Sequence, residues 1–443
     1  MMKKKCLISI FIFLFCSLFI FNNSAVAKVY IDIGSPTFKQ IPIAICDFIN
    51  KVTSANKAVD FGITVSDDIR KDLFLTGIFN ILNKKSFLED KTFITAITAE
   101  KISFPDWTAI GADYLLLGNI TQNDKEIIAD SSFFDVTRGE LIFNKKYHAE
   151  GDKLKVISRA IASDIMLALV NDEGDFNTKI AFVSKKGPKS DIQIINYDGS
   201  ELKSVTNHQS IIIAPRWSPD GKFLAFTSFK GGRPEIYIRN LINGTERKVS
   251  SFEGLNLCGS FSPDGKKLLL TLSKEGSEEI YILEIDTLKL KRLTKNYFIN
   301  VSPSWSPDGK RITFVSNRSG SPQIYIMDAD GNNVKRITYE GTYNTSPSWS
   351  PHGDRLAYEG LINDKYQIFI IDADGNTPPI QLTFDAANNK SPSWSPSGRQ
   401  IVYASQKNSK SKIFIMNSNG SNPRILTESS TNLVMPMWSP RFK

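Results

Sequence analysis

The sequence predicts two domains: an N-terminal α/β domain, followed by an all-β six-bladed β-propeller closed by a shared first/last blade. Three observations lead to this prediction. A motif based on Trp-Ser-Pro-Asp-Gly recurs six times from residue 217 onward, short apolar runs follow the first five copies in a fixed order, and the region before the repeats has a mixed pattern. The composition of the 443 residues, 41% hydrophobic and 23% charged, is typical of globular proteins.

The repeat is regular along the chain. Its anchor residues are spaced by 44, 44, 44, 45 and 44 residues. The anchors are Trp217, Phe261, Trp305, Trp349, Trp394 and Trp438. Each of the first five repeats contains one predicted strand that ends at the anchor and three that follow it, with glycine turns such as Asp330-Gly331 between them. Four short strands in about 44 residues is the period of a propeller blade.

The two ends of the repeat region complete one blade. Residues 180–206 supply a second, third and fourth strand, whereas Met435–Pro440 supplies a first strand with nothing after it. We therefore expect the C-terminal strand to pair with Ile180–Val183. Such a closed ring leaves no free sheet edge.

The region before the repeats reads as a separate α/β domain. We predict a helix capped by Ser66-Asp67-Asp68 and a second helix over Lys155–Val170 with Val156, Ile157, Ile161, Ile165 and Leu169 on its apolar face. Strands are predicted over Val29–Ile33, Ile43–Asp47, Tyr114–Leu117, Ile127–Phe134 and Leu141–Tyr147, and a short helix over Trp107–Ile110.

The N-terminus predicts export. Three lysines precede an apolar run of 16 residues, and Ala25-Val26-Ala27 follows as a small-x-small pattern. This order is typical of a cleaved signal peptide, with cleavage between Ala27 and Lys28, although an uncleaved anchor has a similar length. The predicted boundaries are 1–27 for the signal, 28–170 for the α/β domain, 171–177 for a polar linker and 178–443 for the propeller.

The composition argues against several functions. Removal of the signal lowers the net charge from +8 to +5, which is too mild and too dispersed for a nucleic-acid surface. Three scattered histidines and the two cysteines outside the signal, Cys46 and Cys258, predict neither a metal cluster nor a disulfide. The chain has no Gly-x-Ser-x-Gly, and Asp328-Ala-Asp330-Gly331 lacks the later ligands of a calcium loop. We predict a protein that is not an enzyme and has no cofactor.

The order of a signal peptide, a small α/β domain and six Trp-Ser-Pro-Asp-Gly repeats resembles the TolB family of periplasmic propeller proteins. The resemblance covers essentially the whole chain. It lies in the six repeats, in Lys28–Gly34 followed by Pro42–Phe48, in Trp107–Asp113 with Leu117-Gly118, and in Arg233-Pro234. Membership implies a place in the Tol–Pal system, with the propeller binding the lipoprotein Pal and the mature N-terminus binding the C-terminal domain of TolA, in support of envelope integrity and outer-membrane constriction at cell division.

The resemblance also implies where Pal would bind. In the family the contacts fall on the loops that precede the first strand of each blade, whereas this sequence has Leu255 and Ser302 where relatives place a histidine and an acid. The corresponding residues here are Leu255, Asn256, Cys258, Asn300, Val301, Ser302, Asn344, Ser346 and Asn389. The repeated asparagines can shape these loops or form a polar ring that hydrogen-bonds a partner, and both roles can hold together.

The predicted TolA-binding arm comprises Lys28, Val29, Tyr30, Ile31, Asp32, Ile33 and Gly34. Its alternating pattern suits a strand that adds to a partner's sheet edge, or one that completes a sheet in its own domain. Two other functions stay open on the sequence alone: a periplasmic receptor for a small ligand, and a propeller accessory to a peptidase.

Overall fold

The computed structural model describes residues 39–51, 60–87, 102–122, 126–150 and 153–442. The predicted strand over Val29–Ile33, the cleavage residues Ala27 and Lys28, and the arm Lys28–Gly34 lie outside these ranges. Among the described residues, no helix combines the length and apolar character that crossing a bilayer requires.

The N-terminal part is a mixed sheet with two helices of 15 and 17 residues packed together. In the sheet, β3, β1 and β4 are parallel, β5 and β6 continue it antiparallel, and β2 pairs with β4. The elements are β1 (Ile41–Ile45), β2 (Ile49–Asn50), α1 (Phe61–Leu75), β3 (Phe79–Ile81), a 3₁₀ turn (Lys84–Ser86), α2 (Phe104–Ala109), β4 (Tyr114–Gln122), β5 (Glu126–Asp135), β6 (Glu140–Glu150) and α3 (Leu154–Val170).

Two details of the helices differ from the prediction. Helix α1 begins six residues earlier than expected, because its N-cap is Asp60, not Ser66, and Asp60 accepts from the backbone N–H of Ile63 at 3.2 Å. Ser66 is instead buried inside the helix, where its hydroxyl donates to the Gly62 carbonyl and accepts from the Phe48 N–H. In α3, Val156 is exposed, so Ile157, Ile161 and Ile165 form the buried face.

The C-terminal part is a six-bladed propeller, as predicted. Every blade is a four-stranded antiparallel sheet. Blades 1 to 3 are β10 (Ile212–Trp217), β11 (Phe223–Ser228), β12 (Glu235–Asn240), β13 (Glu246–Ser250); β14 (Asn256–Phe261), β15 (Lys267–Leu272), β16 (Glu279–Glu284), β17 (Leu290–Arg292); and β18 (Asn300–Trp305), β19 (Arg311–Ser316), β20 (Gln323–Asp328), β21 (Lys335–Arg336).

Blades 4 and 5 repeat this order, and the sixth blade closes the ring. They are β22 (Asn344–Trp349), β23 (Arg355–Ile362), β24 (Lys365–Asp372), β25 (Ile380–Gln381); and β26 (Asn388–Trp394), β27 (Gln400–Lys407), β28 (Lys410–Asn417), β29 (Arg424–Thr427). The sixth blade is β30 (Asn432–Trp438), β7 (Lys179–Lys186), β8 (Lys189–Asn196) and β9 (Lys203–Ser204). The pairing of Trp438 with Ile180 confirms the predicted shared blade.

The anchors lie at the boundaries between blades. All six aromatic side chains are buried, and each apolar cluster of the propeller combines residues of two neighbouring blades. The indole of Trp349 donates to the Ser304 carbonyl of the preceding blade at 3.2 Å, and Trp394 donates likewise to Ser348. The repeat therefore encodes the contact that joins the blades as well as the turn that follows it.

Polar contacts join the N-terminal part to the propeller. The Tyr197 hydroxyl on the propeller donates to the Asp72 carboxylate of α1 at 2.5 Å, and both residues are buried. Gln400 donates to the Leu75 carbonyl at 2.8 Å, where α1 ends. The segment 171–177, expected as a polar linker, is itself packed: Phe176 is buried, and Asp175 accepts from Ser397 on blade 5.

Candidate functional site: the rim of the propeller

The predicted partner-binding residues lie at one mouth of the propeller channel. The first strands of the six blades, which we call the inner strands, line this channel. We call the loops that precede them the rim loops; they comprise residues 205–211, 251–255, 293–299, 337–343, 382–387 and 428–431. Since each inner strand starts where its rim loop ends, the structure brings the nine predicted residues to one face of the ring.

Five of the nine predicted residues expose little surface that a partner could contact. Asn256, Cys258, Asn300, Asn344 and Asn389 are all buried. The Nδ2 groups of the four asparagines donate inside the protein: Asn300, for example, donates to Glu279 of the preceding blade at 3.0 Å. These hydrogen bonds support the predicted role in which the asparagines shape the loops.

Four predicted residues remain on the accessible side of the rim. Ser302 is exposed, and Leu255, Val301 and Ser346 are half-buried. Ser302 and Ser346 each stand before a proline with φ near +55°, at 55° and 54°. The corresponding residues of three other blades, Ala214, Ser391 and Met435, have the same left-handed backbone conformation. The inner strands of these five blades shift register at this position. A non-glycine residue seldom adopts this conformation, and a following proline disfavours the helical region further.

The structure also shows a feature that the sequence analysis missed, an aromatic rim. Large apolar side chains project from five of the six rim loops, with Tyr297 fully exposed and Phe384 77% exposed. The members are Ile211, Phe252, Tyr297, Phe298, Ile299, Tyr339, Tyr343 and Phe384. Apolar side chains gathered on one face of a ring mark an interaction surface more strongly than scattered ones do. Their common signal in the sequence is a position up to five residues before the start of an inner strand.

The buried asparagines hold the backbone of the aromatic rim. Asn256 donates through Nδ2 to the Phe252 carbonyl at 2.7 Å and accepts the Phe252 N–H at 2.9 Å. Asn300 donates to the Phe298 carbonyl at 3.0 Å. A fixed loop loses less entropy when a partner binds. The predicted asparagines and the aromatic rim therefore belong to the same loops: the asparagine amides hold the loop backbone from inside, and the rings lie on the outer surface.

Cations accompany several rings of this face. Lys274 lies 5.1 Å from the ring centre of Phe252, and Lys390 lies 3.8 Å from that of Tyr366. Beneath the rim, Arg318 lies 4.9 Å from the ring centre of the buried Tyr325 and donates to the Asn300 side-chain oxygen at 3.0 Å. The face thus presents aromatic and cationic groups together, a composition common at protein interfaces.

The described residues show no group of three or more His, Cys, Asp or Glu side chains placed to hold a metal ion. The Asp328–Gly331 segment, weighed above as a calcium loop, is a hairpin turn. In it the Gly331 N–H donates to the Asp328 carbonyl at 2.9 Å, and Asp330 accepts from the Asn332 N–H. Its carboxylates are thus engaged by the turn itself.

The fold and the rim define a class: two-domain proteins in which an α/β domain precedes a six-bladed propeller with an exposed apolar face. Residues 167–442 match the family model of the TolB beta propeller domain, and residues 29–142 match that of the TolB amino-terminal domain. The chain belongs to the TolB family.

Individual relatives agree with this assignment. The crystal structure of TolB from Acinetobacter baumannii superimposes with a TM-score of 0.78 at 29% identity, covering 91% of this chain and 97% of that one. The Tol-Pal system protein TolB of Syntrophus aciditrophicus is 42% identical over 213 residues, which is 47% of either chain. That of Desulfosudis oleivorans is 35% identical over 195 residues, 44% of either chain. The chain thus spans about half the length of these curated relatives.

Proposed function

We propose that this protein is a non-enzymatic, periplasmic component of the Tol–Pal system that links TolA of the inner membrane to Pal of the outer membrane. In this role it supports envelope integrity and the constriction of the outer membrane during cell division. Family membership supports the assignment to the Tol–Pal system, and the aromatic rim is the observation that supports a partner-binding role. The proposal assigns Pal to the rim and TolA to the N-terminal arm.

The rim suits a folded protein partner better than a small molecule. Its exposed rings belong to five different loops, so they form a broad surface around the channel mouth. Binding energy at protein interfaces is concentrated in aromatic and arginine side chains. We expect Tyr297, Tyr339 and Phe384 to contribute most, because they are the most exposed rings of this face. The half-buried Leu255 and Val301 would lie at the inner margin of the contact.

The test of the Pal contact uses the purified mature protein and the soluble domain of Pal from the same organism. Tyr297→Ser and Phe384→Ser remove exposed rings and leave the core intact. Calorimetry should show each change weakening binding at least about tenfold, since one anchor contributes about 1.4 kcal/mol or more. Ile242→Ser is the matched control: Ile242 is also 77% exposed, but it lies on the β12–β13 turn at the opposite end of the strands. Unchanged binding by both rim variants would contradict the assignment.

The TolA contact is proposed for Lys28–Gly34. In a strand of this segment, Val29, Ile31 and Ile33 would face one side, and Tyr30 and Asp32 the other. Removal of residues 28–34 should abolish binding of the TolA C-terminal domain while Pal binding and the melting temperature stay unchanged. If the truncated protein binds TolA at full strength, or unfolds at a lower temperature, the arm has a structural role instead.

The periplasmic location rests on the predicted signal. Mass spectrometry of the protein recovered from the envelope fraction should show a chain that begins at Lys28. A mass that includes residues 1–27 would indicate an uncleaved anchor and contradict this part of the proposal. Ala27→Gln should block cleavage, because processing requires a small residue at that position.

A further inference from the structure

The channel of the propeller carries one unusual residue. It is a cavity of about 480 Å³ lined by serines, prolines and the anchor residues of all six inner strands. The position just before the anchor lines it in every blade and is occupied by Arg216, Ser260, Ser304, Ser348, Ser393 and Met437. Arg216 is the single charged side chain among the described residues that line the channel.

The guanidinium of Arg216 has almost no partner. Its one hydrogen bond in the described structure runs from Nη1 to the carbonyl of the adjacent Pro215, at 2.9 Å. None of the ion pairs among the described residues includes it, whereas a guanidinium offers five N–H donors. Glu359 is an acid beside the channel wall, but it does not pair with Arg216. Its carboxylate instead accepts from the Ser391 N–H and the Thr345 hydroxyl.

The neighbouring thiol does not balance this charge. Burial raises the pKa of Cys258 to about 12, so the thiol is neutral at physiological pH. Burial also lowers the pKa of Arg216, but an arginine side chain in a protein remains protonated. A positive charge is therefore held in the channel without a compensating group from the protein.

The fold does not require an arginine at this position. In the other blades a serine often joins neighbouring inner strands, as where Ser260 accepts the Trp305 N–H at 2.8 Å and Ser393 accepts the Trp438 N–H at 3.0 Å. Arg216 makes no such bond to the next blade in the described structure. An unpaired charge removed from bulk water is costly, so a compensating ligand accounts for its presence better than stability does.

We propose that the propeller channel binds a small oxyanion, of the carboxylate, phosphate or sulfate class, on the guanidinium of Arg216. The planar fork of arginine matches the paired oxygens of these groups. Serine hydroxyls of the other blades supply further donors around the cavity, including Ser304 and Ser348. The volume is ample for such an ion, since one water occupies about 30 Å³. The inference does not depend on the proposed partners.

The test titrates the mature protein with inorganic phosphate and with selenate at constant ionic strength, and follows its melting temperature. The wild type should show saturable stabilisation. Arg216→Ser introduces the residue that four other blades carry, so it should fold, and it should weaken anion binding at least tenfold. Arg216→Lys should bind more weakly than the wild type but more tightly than Arg216→Ser, because it keeps the charge without the fork. Arg247→Ser, which removes an exposed arginine, is the control and should leave binding unchanged.

Crystals soaked in selenate give a direct readout through anomalous scattering. The expected result is a selenium peak within hydrogen-bonding reach of Arg216 that is missing from Arg216→Ser crystals. The proposal is overturned if stabilisation is not saturable, if Arg216→Ser binds as tightly as the wild type, or if selenium occupies other positions only.

Discussion

Asn344 of blade 4 donates a hydrogen bond to Gln323 of blade 3, with 2.8 Å between Nδ2 and Oε1, and both side chains are buried. The same pairing joins Asn300 to Glu279 and Asn389 to Gln367. Each asparagine is the first or second residue of an inner strand, and each partner lies within the first three residues of the third strand of the preceding blade. The repeated asparagine thus fastens neighbouring blades at the rim, while the anchor tryptophan fastens them further along the strand.

We expect Asn344→Ala to lower the free energy of unfolding by about 1–3 kcal/mol, because Gln323 and the Glu340 carbonyl both lose a donor. Urea denaturation measures the loss. Gln323→Ala and the double variant complete a cycle, and their coupling should exceed about 0.5 kcal/mol. Additive effects of the two substitutions would show that the pair contributes no interaction energy.

Substitutions at the anchors Trp349 and Trp305 should lower the free energy of unfolding by different amounts, depending on the replacement. Trp349→Ala and Trp305→Ala should each cost about 3–5 kcal/mol, as expected for truncating a large buried ring. Replacement by Phe, the residue present at position 261, separates the hydrogen bond from packing. Trp349→Phe removes the donor to Ser304, whereas the buried Trp305 indole N–H has no partner among the described residues. Trp349→Phe should therefore cost about 1 kcal/mol more than Trp305→Phe; equal urea midpoints would contradict this.

The propeller was predictable from the sequence because the same anchor motif and the same order of strands recur every 44 or 45 residues. The repeat region begins near Ile180 without a first strand and ends near Trp438 with a first strand alone. This was enough to predict that the two ends complete one blade and close the ring. The hydrogen bonds by which Asn300 and Asn344 join neighbouring blades were not predictable, since each partner lies on another blade and carries no local signal. The start of α1 was missed because Asp60 and Ser66 are both N-cap residue types, and only burial against Phe48 distinguishes them. The aromatic rim has no fixed period, so only the fold shows that its members share a face.

Closure of the ring is testable by truncation. Removal of residues 434–443 takes away most of β30, including the buried Trp438, and exposes the edge of β7. Loss of that ring alone costs about 3–5 kcal/mol, so the melting temperature should fall by about 10 °C and the calorimetric transition should broaden. Lys410→Ala, at an exposed position beside the β27–β28 turn, serves as a control and should melt like the wild type. A truncated chain with the wild-type transition would show that the shared strand is dispensable.

The contact between α1 and the propeller should respond to pH. Burial raises the pKa of Asp72 to about 6, against the opposing effects of the Tyr197 hydrogen bond and of Arg159. Asp198 and Asp68 also face this carboxylate and favour its protonated form. Lys155, which donates to Asp198 at 3.3 Å, helps to hold the pKa of Asp198 below its usual value.

We expect Asp72 to make the protein more stable as the pH falls from about 6 towards 4. In this interval the folded protein holds a proton on Asp72 that the unfolded chain, with a pKa near 3.8, has released, so lowering the pH favours the folded state. The full difference amounts to at most about 3 kcal/mol. Asp72→Asn keeps an oxygen that accepts from Tyr197 but cannot titrate, so the variant should be more stable than the wild type above pH 6 and nearly equal to it near pH 4. Urea midpoints of the two proteins at pH 4.5, 6 and 7.5 measure the difference. A stability difference that stays constant across these values would place the titrating group elsewhere.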